Sequence, residues 1–332
     1  NIRPMKEFTA GVDIGGTNTK FGLVDREGTV LFQGTIRTTD YAEFEDYFKA
    51  MAEAVRNSLR TLNSDHKLVG IGIGAANGNY YTGNIERATN LKWKGVLPLA
   101  KLFTDEFHVP CILTNDANAA AVGEMIYGNA RNMKDFVVIT LGTGLGSGFV
   151  CNGILLNGHH GIAGELGHTS VNPTGRFCNC GKRGCLETYV SATGIKRTVY
   201  KLLADHLENS ELRGISFDNL NTKMITEAAH RGDIVARAAF EYTGRILGMK
   251  LAETVVHTDP EAIFLFGGLS QAGDLIFKPT IRHMEENLMP LFRGKVKVLP
   301  SGLQNQAAPI LGASSLVWDY LDKKVQLKLE MV

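Results

Sequence analysis

The sequence predicts an α/β protein of two domains built by duplication. Three observations predict it. The 332 residues exceed what one hydrophobic core usually serves. Short apolar runs of strand character are interleaved with longer stretches of helical spacing, which is the order of an α/β sheet protein. A strand, a glycine-rich turn and a returning strand occur twice, at Gly15 and at Gly142, each early in its half. The duplication implies two α/β domains with a cleft between them and phosphate held between two facing hairpins. It puts a small N-terminal domain at 1–118, completed by a returning helix at 313–332, and a large domain at 119–312.

Composition narrows the class. Apolar residues make up 44% of the chain and the net charge is +1. With no basic run, neither nucleic acid nor a membrane surface is an expected partner. No run approaches the ~18 apolar residues of a membrane span. With no export signal either, a cytoplasmic protein is expected. Of the five cysteines, Cys111 and Cys151 stand alone in apolar runs and read as buried thiols.

The chain in order begins with a polar stretch, 1–7, expected to be loose. Phe8 to Ile14 reads as a buried strand, Gly15, Gly16 and Thr17 as a tight turn, Lys20 to Asp25 and Thr29 to Thr35 as two returning strands. No helix follows the glycines and no Gly-Lys-Ser/Thr closes them, so this is not a Walker loop. A hairpin turn of this kind offers backbone N–H groups to phosphate, although taken alone it is more often a plain turn. Asp13, ending the strand, is placed to orient hydrated Mg²⁺. Residues 41–62 carry apolar positions at helical spacing, and Lys67 to Gly74 reads as a buried strand. The long polar loop after it brings Asn77, Asn90 and Trp93 as candidate substrate contacts, with a turn-forming role equally open for each. Leu97 to Phe107 reads as a helix, Val109 to Thr114 as a strand, and Ala119 to Tyr127 as a helix. Asn115 and Asp116 fall where that strand ends, the end at which α/β sheets gather ligands. A carboxylate there serves as a general base, or Asp116 or Asn118 merely caps the helix.

Lys134 to Leu141 is the strand leading into the second hairpin, at Gly142–Gly144. Downstream, His168 precedes Cys178, Cys180 and Cys185 in one glycine-rich stretch. One imidazole and three thiolates suit a tetrahedral Zn²⁺, and four protein ligands leave no open position, so the zinc is expected to be structural. A disulfide leaves one cysteine over and is the weaker reading. Glu165 and Glu187 each lie beside a ligand, so fixing the metal fixes two carboxylates that hold a polar substrate. After it, Leu186 to Leu203, Thr222 to Arg231 and Ile234 to Val256 read as helices, the last amphipathic. Glu261 to Phe266 is a strand opening into Gly267-Gly268, a turn able to receive a nucleoside. Lys295 to Leu299 is the last strand and Ala307 to Leu321 the closing helix, with Gly312 allowing a close neighbour.

The segments DIGGTNTK, NDANAAAVGE, LGTGLGSG, GELGH, CNCGKRGCLE and FGGLS, in this order, resemble the ROK-family sugar kinases, bacterial glucokinases in particular. The resemblance implies the ribonuclease H-like (actin/hexokinase-like) ATPase fold and transfer of phosphate from ATP, with Mg²⁺, to the 6-hydroxyl of a hexose. Glucose is the first expectation and N-acetylglucosamine or N-acetylmannosamine the alternatives. Asp116 becomes the catalytic base, its strength drawn from desolvation because no basic residue neighbours it in sequence. Asn77, Asn90, Asn115, Glu165, His168 and Glu187 become sugar contacts, with His168 also a zinc ligand through its other nitrogen. Gly15, Gly16, Thr17, Asn18, Lys20 and Gly142, Thr143, Gly144 lie around the ATP phosphates, and Gly267 and Gly268 near the adenosine. One departure stands out: the family's Gly-x-Pro-Gly loop is Ala75-Ala76-Asn77-Gly78 here, which bears on the choice between hexose and N-acetyl hexosamine. A homodimer is usual among such proteins. Sugar-responsive repressors share the family but add an N-terminal helix-turn-helix, and only twelve residues precede Asp13, which disfavours DNA binding. A sugar-binding module without catalysis needs none of the phosphate residues.

Overall fold

A computed structural model describes residues 5–62, 65–88, 90–205, 207–303 and 307–330, with side chains through 326. Residues 1–4 of the expected loose terminus lie outside the described residues. The chain forms two compact units. One comprises Asn1–Met133, Leu155–Ala163 and Gly302–Val332, and the other Lys134–Ile154 and Gly164–Ser301.

The first unit holds a five-stranded sheet in the order β3-β2-β1-β4-β8, made of β1 (Lys6–Ile14), β2 (Asn18–Asp25), β3 (Val30–Arg37), β4 (His66–Ala75) and β8 (Cys111–Thr114). β1 starts at Lys6, so the tail ends earlier than its polarity suggests, because Lys6 and Glu7 pair with His66 and Lys67. β1 runs antiparallel to β2 and parallel to β4, and β4 runs parallel to β8. One face is covered by α1 (Phe44–Leu59), whose Tyr47, Met51 and Val55 are buried. The long closing helix α8 (Ala308–Glu330) lies on β1 and β4. Its backbone comes so close that a Cβ on Gly72 would stand 1.8 Å from the Ala313 carbonyl oxygen. Only glycine there lets the helix seat against the strand. On α8 packs α3 (Asp116–Ile126), with Gly123 and Gly312 face to face. α3 therefore belongs wholly to the first unit, and the unit junction falls at 133/134 rather than 118. The return to this unit at Gly302 likewise precedes the expected 313.

The expected polar loop after β4 contains a small sheet of β5 (Gly78–Asn79), β6 (Asn84–Glu86) and β7 (Val96–Leu97). Residues this polar give no alternating pattern over two-residue strands. Because β7 takes Leu97 and Pro98 follows, α2 starts at Leu99 and ends at Phe107.

The second unit repeats the strand plan. Its sheet runs β11-β10-β9-β12-β13, built from β9 (Phe136–Leu141), β10 (Leu145–Cys151), β11 (Ile154–Leu155), β12 (Ala262–Phe266) and β13 (Lys297–Pro300). β9 pairs antiparallel with β10 and parallel with β12, which pairs parallel with β13. In each sheet the third, second, first, fourth and fifth strands lie side by side, so the duplication read from two hairpins extends to the whole sheet. Four helices cover this sheet: α4 (Ala192–Asp205), α5 (Thr222–Arg231), α6 (Ile234–Thr258) and α7 (Asp274–Asn287). α6 packs against α4, α5 and α7, so it is buried on several sides rather than on the single stripe expected of an amphipathic helix. Helix does not start at Leu186: a 3₁₀ turn spans Leu186–Thr188 and α4 begins only at Ala192. Cys111 and Cys151 are half-buried rather than fully enclosed.

Candidate active site and metal centre

In the first unit the predicted residues gather at the carboxyl ends of β1, β4 and β8. Asp13 sits one residue before the end of β1, opposite Lys20 on β2 and beside Gly74 on β4. Asp116 opens α3 immediately after β8. The Asp13 carboxylate and the Asp116 backbone flank Gly74: a Cβ placed there would lie 3.6 Å from Asp116 Cα and 3.8 Å from Asp13 Oδ1. Burial raises the pKa of Asp13 to about 7, the Asp116 charge adds to the rise, and Lys20 opposes it. Burial also raises the pKa of Asp116, against the hydrogen bond that its carboxylate accepts from the Ala117 N–H at 2.9 Å. Asp116 is itself an exposed residue, so solvent screens that shift.

Asn115 caps the helix, its Oδ1 accepting from the Ala117 N–H at 2.8 Å. The N-cap position is thus Asn115 rather than Asp116 or Asn118, the two residues expected for it, and Asp116 shares the same Ala117 N–H. Asn118 is buried, donating to Thr114 Oγ1 at 3.4 Å. The turn after β1 is closed by the Gly15 N–H donating to the Asn18 carbonyl at 3.0 Å, and Thr17, Asn18 and Lys20 are exposed on it. Asn90 joins this group: its carbonyl oxygen would be 2.6 Å from a Cβ on Gly16. Behind the turn Thr19 bonds to Tyr47 at 2.8 Å and to Thr38 at 2.9 Å. Nothing in the spacing of these three residues announces that network.

Two candidates take other roles. Asn77 has φ 60° and its side chain donates to the Arg87 carbonyl at 3.4 Å, which makes it a turn residue. Asparagine tolerates this left-handed backbone and proline, held near φ −65°, does not. Trp93 is 8% exposed, with its Nε1 donating to the Ala42 carbonyl at 3.0 Å. It is core, its ring tilted against Tyr47 with centroids 4.6 Å apart.

In the second unit the Gly142–Gly144 turn joins β9 to β10, and Gly267-Gly268 follows β12, the parallel neighbour of β9. Gly267, at φ 103°, stands so near β9 that a Cβ would meet the Leu141 oxygen at 2.7 Å. Both glycine turns thus occupy the same end of one sheet. Glu187 reaches this hairpin directly. Its Oε2 accepts from the Leu145 N–H at 3.0 Å and would lie 2.3 Å from a Cβ on Gly144.

His168, Cys178, Cys180 and Cys185 converge, with all ligand atoms within 4.8 Å of one another. Cys180 Sγ and Cys185 Sγ are 3.6 Å apart, and Cys178 Sγ is 3.7 Å from His168 Nδ1. Thiolates about 2.3 Å from a tetrahedral zinc ion stand about 3.8 Å apart, so the cluster has the dimensions of such a site, and the cysteines are free of disulfides. His168 turns Nδ1 to the thiols and Nε2 to Glu165 Oε2 at 3.9 Å. That division of the ring leaves one nitrogen for a metal and the other for a hydroxyl. The chain closes tightly around the cluster. A Cβ on Gly184, at φ 72°, would stand 1.6 Å from the Asn172 oxygen.

Arg176, a residue the motif reading passes over, fastens this loop. Its guanidinium donates to the Thr188 carbonyl at 2.7 Å, the Gly194 carbonyl at 3.0 Å and Thr198 Oγ1 at 2.9 Å, and lies over the Tyr189 ring. Its position inside the cysteine stretch was the available signal. Ser147 adds a second tie, donating to the Gly164 carbonyl and accepting from the Leu166 N–H at 3.2 Å. Two surface grooves of the first unit, one along Phe44 and Trp93 and one along Val109 and Tyr320, include none of the residues gathered at the strand ends.

A family model described as "ROK family" matches residues 9–320. The glucokinase of Halalkalibacterium halodurans is 36% identical over 312 residues, 91% of this chain and 92% of that protein. The glucokinase of Thermotoga maritima is 34% identical, covering 92% of this chain and 96% of its own. Among solved structures, a ROK family glucokinase from Streptomyces griseus in complex with glucose and AMPPNP superposes with a TM-score of 0.76 at 35% identity, covering 93% of this chain and 98% of that one.

Proposed function

The chain belongs to the ROK family, and on that premise we propose that it transfers the terminal phosphoryl group of ATP to the 6-hydroxyl of a hexose, glucose before other sugars. The observation that carries the reading is the pair Asp13 and Asp116, set at the carboxyl ends of β1 and β8 on either side of Gly74 of β4. Phosphoryl transfer asks for in-line positioning, charge neutralisation and a group that takes the acceptor's proton. Asp116 takes that proton, and a carboxylate of raised pKa is the better base near neutral pH. Asp13 orients the hydrated Mg²⁺, which neutralises phosphate charge when bound. The turns at Gly15, Gly16, Thr17, Asn18 and Lys20 and at Gly142, Thr143 and Gly144 supply N–H donors and a cation to the phosphates, while Gly267 and Gly268 face the adenosine.

On the sugar side, Asn90, Asn115, Glu165, His168 and Glu187 meet the hydroxyls. Asn115 offers its Nδ2, since its Oδ1 is committed to the helix cap. His168 Nδ1 and the three thiolates hold a structural zinc that fixes Glu165 and Glu187. Asn77 leaves this set because its side chain serves the turn, and with it goes the reason to favour an N-acetyl hexosamine. A cytoplasmic homodimer completes the proposal, and sedimentation reads its assembly. The test is ADP release with ATP and Mg²⁺ across hexoses and N-acetyl hexosamines. Turnover fastest with glucose supports the reading, and no ADP release with any of them overturns it.

A further inference from the structure

One buried carboxylate has no part in the site described above. Glu124, near the end of α3, is 0% exposed. Its Oε1 accepts from two backbone N–H groups, Asn129 at 2.7 Å and Gly302 at 2.8 Å. The surrounding chain has no room for side chains. A Cβ on Gly128 would stand 2.5 Å from the Glu124 carboxylate, and a Cβ on Gly302 would stand 2.8 Å from the Asn129 nitrogen. The two amides are far apart in sequence, yet both adjoin places where the chain passes from one compact unit to the other, at 133/134 and 301/302. The same helix begins at Asp116. A fully buried carboxylate holds the N–H groups it accepts from, although Asn129 and Gly302 are themselves exposed residues, and removing it leaves both N–H groups without that acceptor.

We infer that Glu124 is a positioning residue: its carboxylate fastens two of the chain connectors between the units to the helix that carries Asp116, so that connectors and base move as one body. The inference rests on the kinase reading for its effect on turnover, but not for the bonds themselves. Sugar kinases that exclude water by closure need the base to arrive in register with the bound phosphate, and a displacement of ~1 Å from a remote change costs up to ~10²-fold in rate.

The test uses the full chain in three forms: unaltered, Glu124→Ala and Glu124→Gln. Hydrogen exchange is read at the amides of 129 and 302, alongside kcat, KM for ATP and for glucose, and the glucose Kd by calorimetry. In the unaltered chain both amides are expected to exchange far more slowly than exposed amides without an acceptor, because each donates to the buried Glu124 carboxylate. Exchange at the rate of exposed amides overturns the inference. Glu124→Ala is expected to lose that protection and to lower kcat by ~10- to 10²-fold with the glucose Kd unchanged. Glu124→Gln, whose side-chain oxygen still accepts both N–H groups, is expected to restore protection and most of kcat. A folded Glu124→Ala with unaltered kcat, or a Glu124→Gln as impaired as the alanine variant, overturns it. Should Glu124→Ala fail to fold, Glu124→Met, which fills a similar volume without an acceptor, takes its place under the same criteria. Absence of ADP release in the unaltered chain sinks the kinase reading, while the exchange measurement still decides whether Glu124 holds the connectors.

Discussion

Asp13 and Asp116 show how one backbone arrangement sets the chemistry of two side chains. Both carboxylates are raised by burial, and Asp13 is raised further by its neighbour's charge. For Asp13 the sign follows from linkage. Its folded pKa, about 7, lies above the ordinary carboxylate value, so the fold favours the protonated form. Stability from this group is full below the unfolded pKa of ~3.9 and declines as pH rises toward 7. Asp13→Asn is therefore expected to gain thermal stability relative to the unaltered chain between pH 5 and 7, with the gain levelling above that. Thermal midpoints across this range, measured without Mg²⁺ and nucleotide, check it, and a gain that shrinks with rising pH contradicts it. Asp116→Asn is expected to bind glucose with normal affinity and lose transfer by at least ~10²-fold, the usual loss for a general base. Calorimetry with ADP release separates these two effects, and substantial turnover in the variant would put the base elsewhere. The chain order announced Asp116 at a strand end. It did not announce that Asn115 would take the cap, which depends on where β8 stops and α3 starts.

Single elements carry the next layer. The loop that bears the cysteines is a compact scaffold whose ligand atoms, glycines and arginine support one another. Gly184→Ala is expected to open it, since its Cβ would stand 1.6 Å from the Asn172 oxygen and the residue sits at φ 72°. Metal content by emission spectroscopy should fall together with glucose affinity, as it should for Cys180→Ser. A metal-free protein with normal sugar affinity would remove the scaffold role. Arg176→Ala should loosen the loop less severely, because the ligands stay in place while the ties to Thr188, Gly194 and Thr198 are lost. The spacing of one histidine and three cysteines made this loop legible before any fold was known. Arg176 was not legible in the same way, because its partners follow the ligand stretch and only the 3₁₀ turn at Leu186–Thr188 brings them within reach.

For the whole molecule, the strand order repeated in both sheets is the substance of the duplication, and the actin/hexokinase-like fold follows from it and from the ROK glucokinase that superposes on the chain. Among the described residues no helix is long and apolar enough to cross a membrane. Ligands that bind only the folded chain stabilise it by mass action, about 2.7 kcal/mol at a hundredfold excess over Kd. The thermal midpoint should accordingly rise with glucose concentration, and a larger rise with N-acetylglucosamine or N-acetylmannosamine would reassign the preferred sugar. Gly72→Ala tests the architecture without touching the site. With α8 unable to seat on β4, it should cost about 3 kcal/mol, the upper end of the usual range for overpacking, read by denaturant midpoint.

What the sequence determined by itself was local and chemical. Glycine turns between apolar runs, a metal-ligand spacing and acidic residues at strand ends are short-range signals, because each arises from residues within a few positions of one another. What only the tertiary structure decided was long-range. It set the unit junction beyond α3, since α3 packs on a helix nearly two hundred residues away in the chain. It made Asn77 a turn residue and Trp93 core, and it joined Glu187 to the Gly144 hairpin and Glu124 to Gly302. Such pairings depend on which surfaces meet when the helices close on the sheets, and no periodicity along the chain encodes that.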